Sequence, residues 1–139
     1  MGLLAKTLAT EAFANVLDKG GQPYIGHCQR IAAKMPNKVL AEIAWLHDLV
    51  EDTPWTLAAL KRQGFSKVCL EALDALTHRK GESYFDYIER VRQNPDAVQV
   101  KIADLEDNMD LSRLPVVTEK DLQRNKKYQK ALQMLSNGE

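Results

Sequence analysis

Apolar residues recur at helical spacing along nearly the whole chain, and this periodicity constrains the fold more than any other feature. One such stripe, which runs up to the turn Gly20–Pro23, consists of Leu4, Leu8, Ala12 and Val16. Alternating runs of aromatic and β-branched residues, which are typical of strands, are absent from the sequence. The pattern therefore predicts an all-α protein.

Turn and capping residues divide the chain into further helices. Asn94 and Pro95 have the residue types preferred at a helix start, and Thr118 with Asp121 resembles a capping box. The predicted elements after the first are a helix from about Gly26 to Lys34, a helix from about Lys38 to Asp52, two helices flanking Gly81, a helix that begins at Asn94 and carries Asp104 and Asn108, and a last helix from Thr118 towards Leu135.

Composition limits the class of protein and the partners. A chain of 139 residues, 45% of them hydrophobic, is long enough for one domain with a core, so we expect a single compact helical bundle over residues 1–139. Lys plus Arg equal Asp plus Glu at 19 each, which disfavours a nucleic acid polymer as partner. Cys28 and Cys69 have neither zinc-finger spacing nor the density of a disulfide scaffold, and they are expected to be buried or idle thiols.

The sequence predicts a cytoplasmic protein. Lys6 and Glu11 interrupt any signal-peptide core at the N-terminus, and no apolar run is long enough to span a membrane. We therefore expect no membrane partner, and the sequence leaves the oligomeric state open.

Polar residues stand out in two strongly apolar helices. Between Val39 and Val50 the polar residues are Glu42, His47 and Asp48, and the helix that carries Asp104 is similarly apolar. A buried carboxylate is costly unless it is paired, hydrogen-bonded or bound to a cation. For each residue alone, a structural explanation suffices: Asp104 could pair with Lys101, and His47 could bond a backbone carbonyl.

Taken together with His27 at a helix start, these residues point to a metal site. Two imidazoles and two carboxylates form a mixed nitrogen and oxygen donor set that suits a divalent ion such as Mn, Fe, Co, Ni or Zn. The sequence therefore predicts one divalent ion on four side chains, namely His27, His47, Asp48 and Asp104.

Two acids follow the proposed ligands by one helical turn. Glu51 lies four residues after His47, and Asp52 lies four residues after Asp48. Such a cation lowers the pKa of water from about 15.7 towards about 7, and an adjacent carboxylate can orient the water and transfer its proton. The alternative is a solvated acidic helix end, which opposes the helix dipole at a small cost.

The ordered set of motifs resembles the HD-domain phosphohydrolases, and within them the RelA/SpoT-type alarmone hydrolases. The stretches that carry the resemblance are the Gly21–His27 segment with Pro-Tyr-Ile, the Trp45–Thr53 segment with His-Asp and Glu-Asp-Thr, and the Val100–Asp104 segment followed by Asn108-Met109. Together they span most of the chain.

The resemblance implies an all-helical HD-type fold, one Mn²⁺-like ion and a small nucleotide as substrate. It implies removal of the 3′-pyrophosphate from guanosine tetra- or pentaphosphate, with the water handled by Glu51 and Asp52. It also implies substrate contacts from Lys19 at the base, Asn108 at the ribose, and Arg124 with Tyr128 at phosphate or sugar. For Arg124 and Tyr128, a solvated arginine and a packing tyrosine remain equal alternatives.

The chain departs from the family pattern near the expected substrate. Asp18 replaces a frequent Arg, Leu105 and Asp107 replace an Arg and a His, and Cys28 replaces a Pro. Two alternatives therefore stay open: a nucleotide, deoxynucleotide or NADPH phosphatase of the same superfamily, and a catalytically silent nucleotide-binding module.

Other conspicuous residues have structural interpretations. Trp45 and Trp55 are expected in the core and His78 in a surface loop. Three lysines of the last helix are expected on a solvated face, which could also attract anions towards Arg124: Lys126, Lys127 and Lys130.

Overall fold

The computed structural model describes residues 2–136, with side chains from Leu4 to Ser136. This part of the chain is helical with no β-strand, which confirms the predicted all-α class; Met1 and residues 137–139 of the predicted 1–139 domain lie outside it. Its helices are α1 (Gly2–Ala12), α2 (Ile25–Ala33), α3 (Lys38–Leu46), α4 (Leu49–Asp52), α5 (Leu57–Arg62), α6 (Lys67–Leu76), α7 (Tyr84–Arg92), α8 (Pro95–Met109) and α9 (Glu119–Ser136), with a 3₁₀ turn at Leu111–Arg113.

Helix α3 lies at the centre of the molecule. It packs against α1, α2, α6 and α8, and the side chains of Ile43, Ala44 and Leu46 are fully buried. This burial explains why α3 is apolar nearly all round. Since α2 and α8 both pack on α3, the side chains of these three helices can meet at one point.

Side-chain caps fix the starts of most of these helices. The side chain of Asn94 accepts the backbone N–H of Ala97, and Pro95 occupies the first turn of α8, as predicted. Thr118 and Asp121 exchange hydrogen bonds between side chain and backbone N–H, which confirms the capping box. A cap of this kind stabilises a helix by about 1 kcal/mol. The other caps are Asn37, Thr56, Ser66 and Ser83.

The single helix predicted from Lys38 to Asp52 is wrong, because the chain breaks it into α3 and α4 at His47 and Asp48. The N–H of His47 bonds to the carbonyl oxygen of Ala44, three residues back, and Asp48 adopts φ −105° and ψ 0°. Consecutive residues of a continuous helix point about 100° apart. The break instead lets the two neighbouring side chains face the same cluster.

The first and fifth helices also differ from the prediction. Helix α1 ends at Ala12, and Val16 is 43% exposed rather than part of a buried stripe. The chain leaves the helix because the backbone of Val16 bonds to Tyr24 across an antiparallel turn. Helix α5 was not predicted, since six residues are too few for a clear period.

No helix within residues 2–136 combines the length and the hydropathy needed to cross a bilayer.

Candidate metal centre

Three helices bring two histidines and an aspartate together in the interior. Nε2 of His27 lies 2.8 Å from Oδ1 of Asp104, and Nε2 of His47 lies 3.2 Å from the same oxygen. All three residues are buried, and one ligand atom from each lies within 4.8 Å of the others. His27 comes from α2, His47 from the end of α3 and Asp104 from α8. The predicted convergence of these three residues is confirmed.

These distances fit a divalent cation. Two ligand atoms that each bind a metal at about 2.1 Å and at right angles lie roughly 3.0 Å apart. The observed separations of 2.8 and 3.2 Å bracket this value. The three side chains could therefore hold a metal ion.

A hydrogen-bond acceptor beside Nδ1 fixes the orientation of each imidazole ring. Nδ1 of His47 lies 2.7 Å from the carbonyl oxygen of Ala44, and Nδ1 of His27 lies 2.5 Å from Oδ2 of Asp107. A histidine that donates from Nδ1 presents the lone pair of Nε2. Metal-binding histidines in proteins are commonly oriented in this way.

Asp48, the fourth predicted ligand, lies at the edge of this cluster. Its Oδ2 is 3.2 Å from Nε2 of His47 and accepts a hydrogen bond from the hydroxyl of Tyr24. The break between α3 and α4 directs Asp48 towards His47. A metal ligand role for Asp48 remains a prediction.

Charge complementarity dominates the electrostatics of the cluster. Burial lowers the pKa of His47, but the neighbouring Asp48 and Asp104 outweigh it and hold that pKa well above its usual value. Burial raises the pKa of Asp104, but Lys101 and the two histidines bring it well below its usual value. A cation in the centre would replace the protons that the histidines otherwise hold.

The two contacts that the sequence suggested for Asp104 and His47 in the absence of a metal are also present. Nζ of Lys101 lies 2.8 Å from Oδ2 of Asp104, and His47 bonds a backbone carbonyl. Because Lys101 uses Oδ2 and the histidines face Oδ1, the ion pair and a metal site are compatible.

Glu51 and Asp52 lie beyond the helix break. Oε1 of Glu51 accepts the backbone N–H of His78 at 2.8 Å, while the N–H of Asp52 bonds to the carbonyl oxygen of Asp48 at 3.0 Å. Desolvation and the charges of Asp48 and Glu51 raise the pKa of Asp52 to about 6. A carboxylate with such a pKa can exchange protons near neutral pH.

A cleft of about 260 Å³ opens beside His27. Three of the predicted substrate residues, Lys19, Asn108 and Arg124, line it. The ring of the fourth, Tyr128, has its centroid 5.9 Å from Nζ of Lys19. The cleft thus connects these predicted residues with one of the histidines.

Two of these residues have partners of their own. Nδ2 of Asn108 donates to Oδ1 of Asp104 at 3.0 Å, so its amide fixes the same oxygen that faces the histidines. The guanidinium of Arg124 forms an ion pair with Asp121, one turn back on α9. Their predicted substrate contacts remain predictions.

Sequence reasoning assigned no role to Tyr24, Arg30 or Asp107 in the site. The spacing carried a signal, because Asp107 lies three residues after Asp104 on α8 and Tyr24 lies three residues before His27. His78 was expected on the surface but is half-buried, and its ring stacks on Tyr87 with centroids 4.8 Å apart.

The remaining structural expectations hold in part. Cys28 and Cys69 are free and buried, as expected, and Trp45 and Trp55 are partly buried against the core. Lys126, Lys127 and Lys130 of α9 are exposed, as expected. Two of them lie over aromatic rings: Lys127 over Tyr84 and Lys130 over Phe85, each at 4.4 Å.

Comparison with known proteins relates the chain to a hydrolase by structure. No protein family model matches the sequence, and no curated protein matches it. Among solved structures, a metazoan ortholog of SpoT that hydrolyses ppGpp and plays a role in starvation responses superposes with a TM-score of 0.78. The match covers 94% of this chain and 82% of that chain at 20% sequence identity. The chain therefore shares the fold of this solved structure, in agreement with the all-helical fold that the motifs predict.

Proposed function

We propose that the protein is a metal-dependent phosphohydrolase of a small phosphorylated nucleotide. Its proposed substrate is guanosine tetra- or pentaphosphate, from which it removes the 3′-pyrophosphate. The solved structure of the same fold is described as hydrolysing ppGpp, which supports this substrate class.

One observation carries the proposal. The imidazoles of His27 and His47 both present Nε2 to a single oxygen of Asp104, and both are held at Nδ1 from behind. A histidine that is held at Nδ1 and presents Nε2 to a carboxylate oxygen has the orientation common among metal ligands, which supports the proposal. We propose that Asp48 completes the ligand set and that Mn²⁺ is the ion.

When bound, a divalent cation supplies Lewis acidity, which lowers the pKa of water and polarises a phosphoryl oxygen. The carboxylate of Asp52, with a pKa of about 6, takes up the proton that the attacking water releases. Glu51 orients this water. The bond between phosphorus and the 3′ oxygen of the ribose breaks, and the proton returns to that oxygen.

The cleft beside His27 would hold the nucleoside. We propose that Lys19 contacts the base, that Asn108 contacts the ribose, and that Arg124 with Tyr128 contacts phosphate or sugar. The position of Lys19, Asn108 and Arg124 in the cleft wall supports this assignment.

One observation favours a second candidate, a nucleotide phosphatase with a less charged substrate. The three arginines of the cleft already have carboxylate partners: Arg30 pairs with Asp107, Arg113 with Asp110, and Arg124 with Asp121. Asp18 lines the same cleft. These carboxylates reduce the positive charge available to a substrate with two pyrophosphate groups.

A substrate panel separates these functions. Purified protein with Mn²⁺ is incubated with guanosine tetraphosphate, NADPH, nucleoside monophosphates and deoxynucleoside triphosphates, with and without a chelator. The proposal predicts chelator-sensitive release of pyrophosphate and guanosine diphosphate from the tetraphosphate. Orthophosphate from another substrate alone would establish the phosphatase, and binding without any product would establish a silent module.

A further inference from the structure

Asp107 is a buried carboxylate with three side-chain partners. Its Oδ2 lies 2.5 Å from Nδ1 of His27, and Nε of Arg30 donates to its Oδ1 at 2.8 Å. Nη2 of Arg113 lies 3.3 Å from the same Oδ2. Asp107 is 5% exposed and lies one helical turn after Asp104 on α8. It therefore joins a histidine of the proposed centre to two arginines of the cleft wall.

We propose that Asp107 is a positioning residue that holds His27 in the orientation and tautomer needed to bind metal through Nε2. The inference rests on the metal centre of the proposed function.

The two ring nitrogens of imidazole have different roles in a metal ligand. A neutral imidazole carries one proton, and an acceptor beside Nδ1 places the proton there and leaves the lone pair on Nε2. The carboxylate of Asp107 is that acceptor for His27. Nε2 faces Oδ1 of Asp104 at 2.8 Å, where a bound cation would take the place of the proton that joins the two atoms in the metal-free protein. Partners of this kind affect metal affinity by about 10- to 100-fold.

Arg30 and Arg113 compensate the negative charge of Asp107. A buried carboxylate without compensation is costly, and guanidinium groups on two sides of it offset that cost. Arg30 binds Asp107 through two nitrogens, at 2.8 and 3.0 Å, which fixes the plane of the carboxylate. Nη2 of Arg113 holds the carboxylate from another side, so its bond to Nδ1 of His27 does not depend on Arg30 alone.

The two histidines differ in what holds them. Nδ1 of His47 bonds the backbone carbonyl of Ala44, whereas Nδ1 of His27 bonds a side chain. Side-chain substitution can therefore release His27 and leave the support of His47 intact.

A purely structural role for Asp107 makes a different prediction. If the residue only ties α2 to α8, its loss lowers the stability of the metal-free protein and leaves metal affinity unchanged. Metal affinity and ring tautomer consequently separate the two roles, and stability alone does not.

The test is a calorimetric titration of Mn²⁺ into metal-free protein for four forms: wild type, Asp107→Leu, Asp107→Asn and Arg30→Met. We expect Asp107→Leu to weaken Mn²⁺ binding up to about 100-fold, and Asp107→Asn about 10-fold, because the amide oxygen still accepts from Nδ1 but carries no charge. Arg30→Met, which keeps the bond between Asp107 and His27, should change affinity less than about threefold.

Nitrogen-15 NMR of the Zn²⁺-bound protein supplies a second readout. The ring of His27 should bind Zn²⁺ through Nε2 with its proton on Nδ1 in wild type and in Arg30→Met, whereas in Asp107→Leu a fraction of the rings should be unbound or bound through Nδ1. If Asp107→Leu fails to fold, Asp107→Asn decides the question. Mn²⁺ affinity within about threefold of wild type in the folded Asp107 variants would overturn the inference, as would a wild-type protein that binds no metal.

These outcomes are independent of the proposed reaction. A protein that binds Mn²⁺ but hydrolyses none of the nucleotides would refute the phosphohydrolase and leave the role of Asp107 to the titration.

Discussion

Lys101 holds Asp104 by one oxygen and leaves the other oxygen to the two histidines. Nζ of Lys101 lies 2.8 Å from Oδ2, whereas Oδ1 faces Nε2 of His27 at 2.8 Å. The Lys101 side chain is 12% exposed, so the ammonium group compensates the carboxylate out of reach of bulk water. The ion pair keeps Asp104 charged and aimed at the centre.

Replacement of Lys101 by Met should destabilise the metal-free protein strongly. The substitution keeps most of the side-chain volume and leaves the buried carboxylate of Asp104 with an unpaired oxygen, which costs roughly 3 to 5 kcal/mol. Urea unfolding in the presence of a chelator measures this loss. The control is Lys126→Met at an exposed position of α9, which should stay within about 0.5 kcal/mol. Equal effects of the two substitutions would show that Lys101 does not support Asp104.

Ligand and water-handling residues should separate in one experiment. Asp104→Ala removes the oxygen that both histidines face, and we expect metal binding and activity to disappear together. Glu51→Gln should spare metal binding, because Glu51 contacts the backbone of His78 rather than the centre. It should lose turnover, because the proposed role of Glu51 is to orient the attacking water. Mn²⁺ titration and product release measure the two properties, and Asp104→Ala with both intact would refute the ligand set.

Replacement of Asp52 by Asn should stabilise the metal-free protein at pH 7.5 and leave its stability unchanged at pH 3. The folded-state pKa of Asp52 is raised from 3.8 to about 6, so the folded protein binds a proton more readily than the unfolded chain. That difference costs stability as the pH rises from about 3.8 to about 6, and an uncharged amide avoids the cost.

Thermal unfolding of Asp52→Asn at the two pH values tests the sign of this effect. Glu71→Gln, at an exposed position of α6, is the control and should behave alike at both values. Equal melting temperatures for wild type and Asp52→Asn at pH 7.5 would contradict the raised pKa.

Gly20 should not tolerate a methyl group. A Cβ at this position would lie 2.5 Å from the carbonyl oxygen of Arg113, a backbone atom, so the wall of the cleft would have to move. We expect Gly20→Ala to cost about 1 to 3 kcal/mol and to weaken nucleotide binding. Gly26→Ala is the matched control, because its Cβ would meet only the flexible guanidinium of Arg30, and alanine favours the helix by about 0.5 to 1 kcal/mol. Similar stabilities of the two variants, measured by urea unfolding, would refute this packing.

Much of the fold follows from local rules. The helix starts at Asn94 and Thr118 depend on the residue itself and on the three that follow it, and both form as the sequence predicts. Helix α3 is identified by its apolar length. The break after Leu46 is not local, because tertiary contacts of His47 and Asp48 favour it over one more helical turn.

The sequence predicted which residues form the site but not how their side chains contact one another. His27, His47 and Asp104 stand out because polar groups in apolar helices need partners, and the structure brings them together. The spacing placed Asp107 and Asn108 within about one turn of Asp104 on α8. It did not show that Asp107 supports His27, since the orientation of α8 against α2 decides that contact. The helix break also means that Glu51 does not lie one turn after His47 on a continuous helix, as the sequence predicted.

Crystals of the protein soaked in Mn²⁺ and measured on both sides of the manganese absorption edge would reveal directly whether the two histidines and Asp104 bind one metal ion. We expect one anomalous peak within about 2.3 Å of Nε2 of His27, Nε2 of His47 and Oδ1 of Asp104. No peak between these atoms, or a peak only at surface carboxylates, would contradict it.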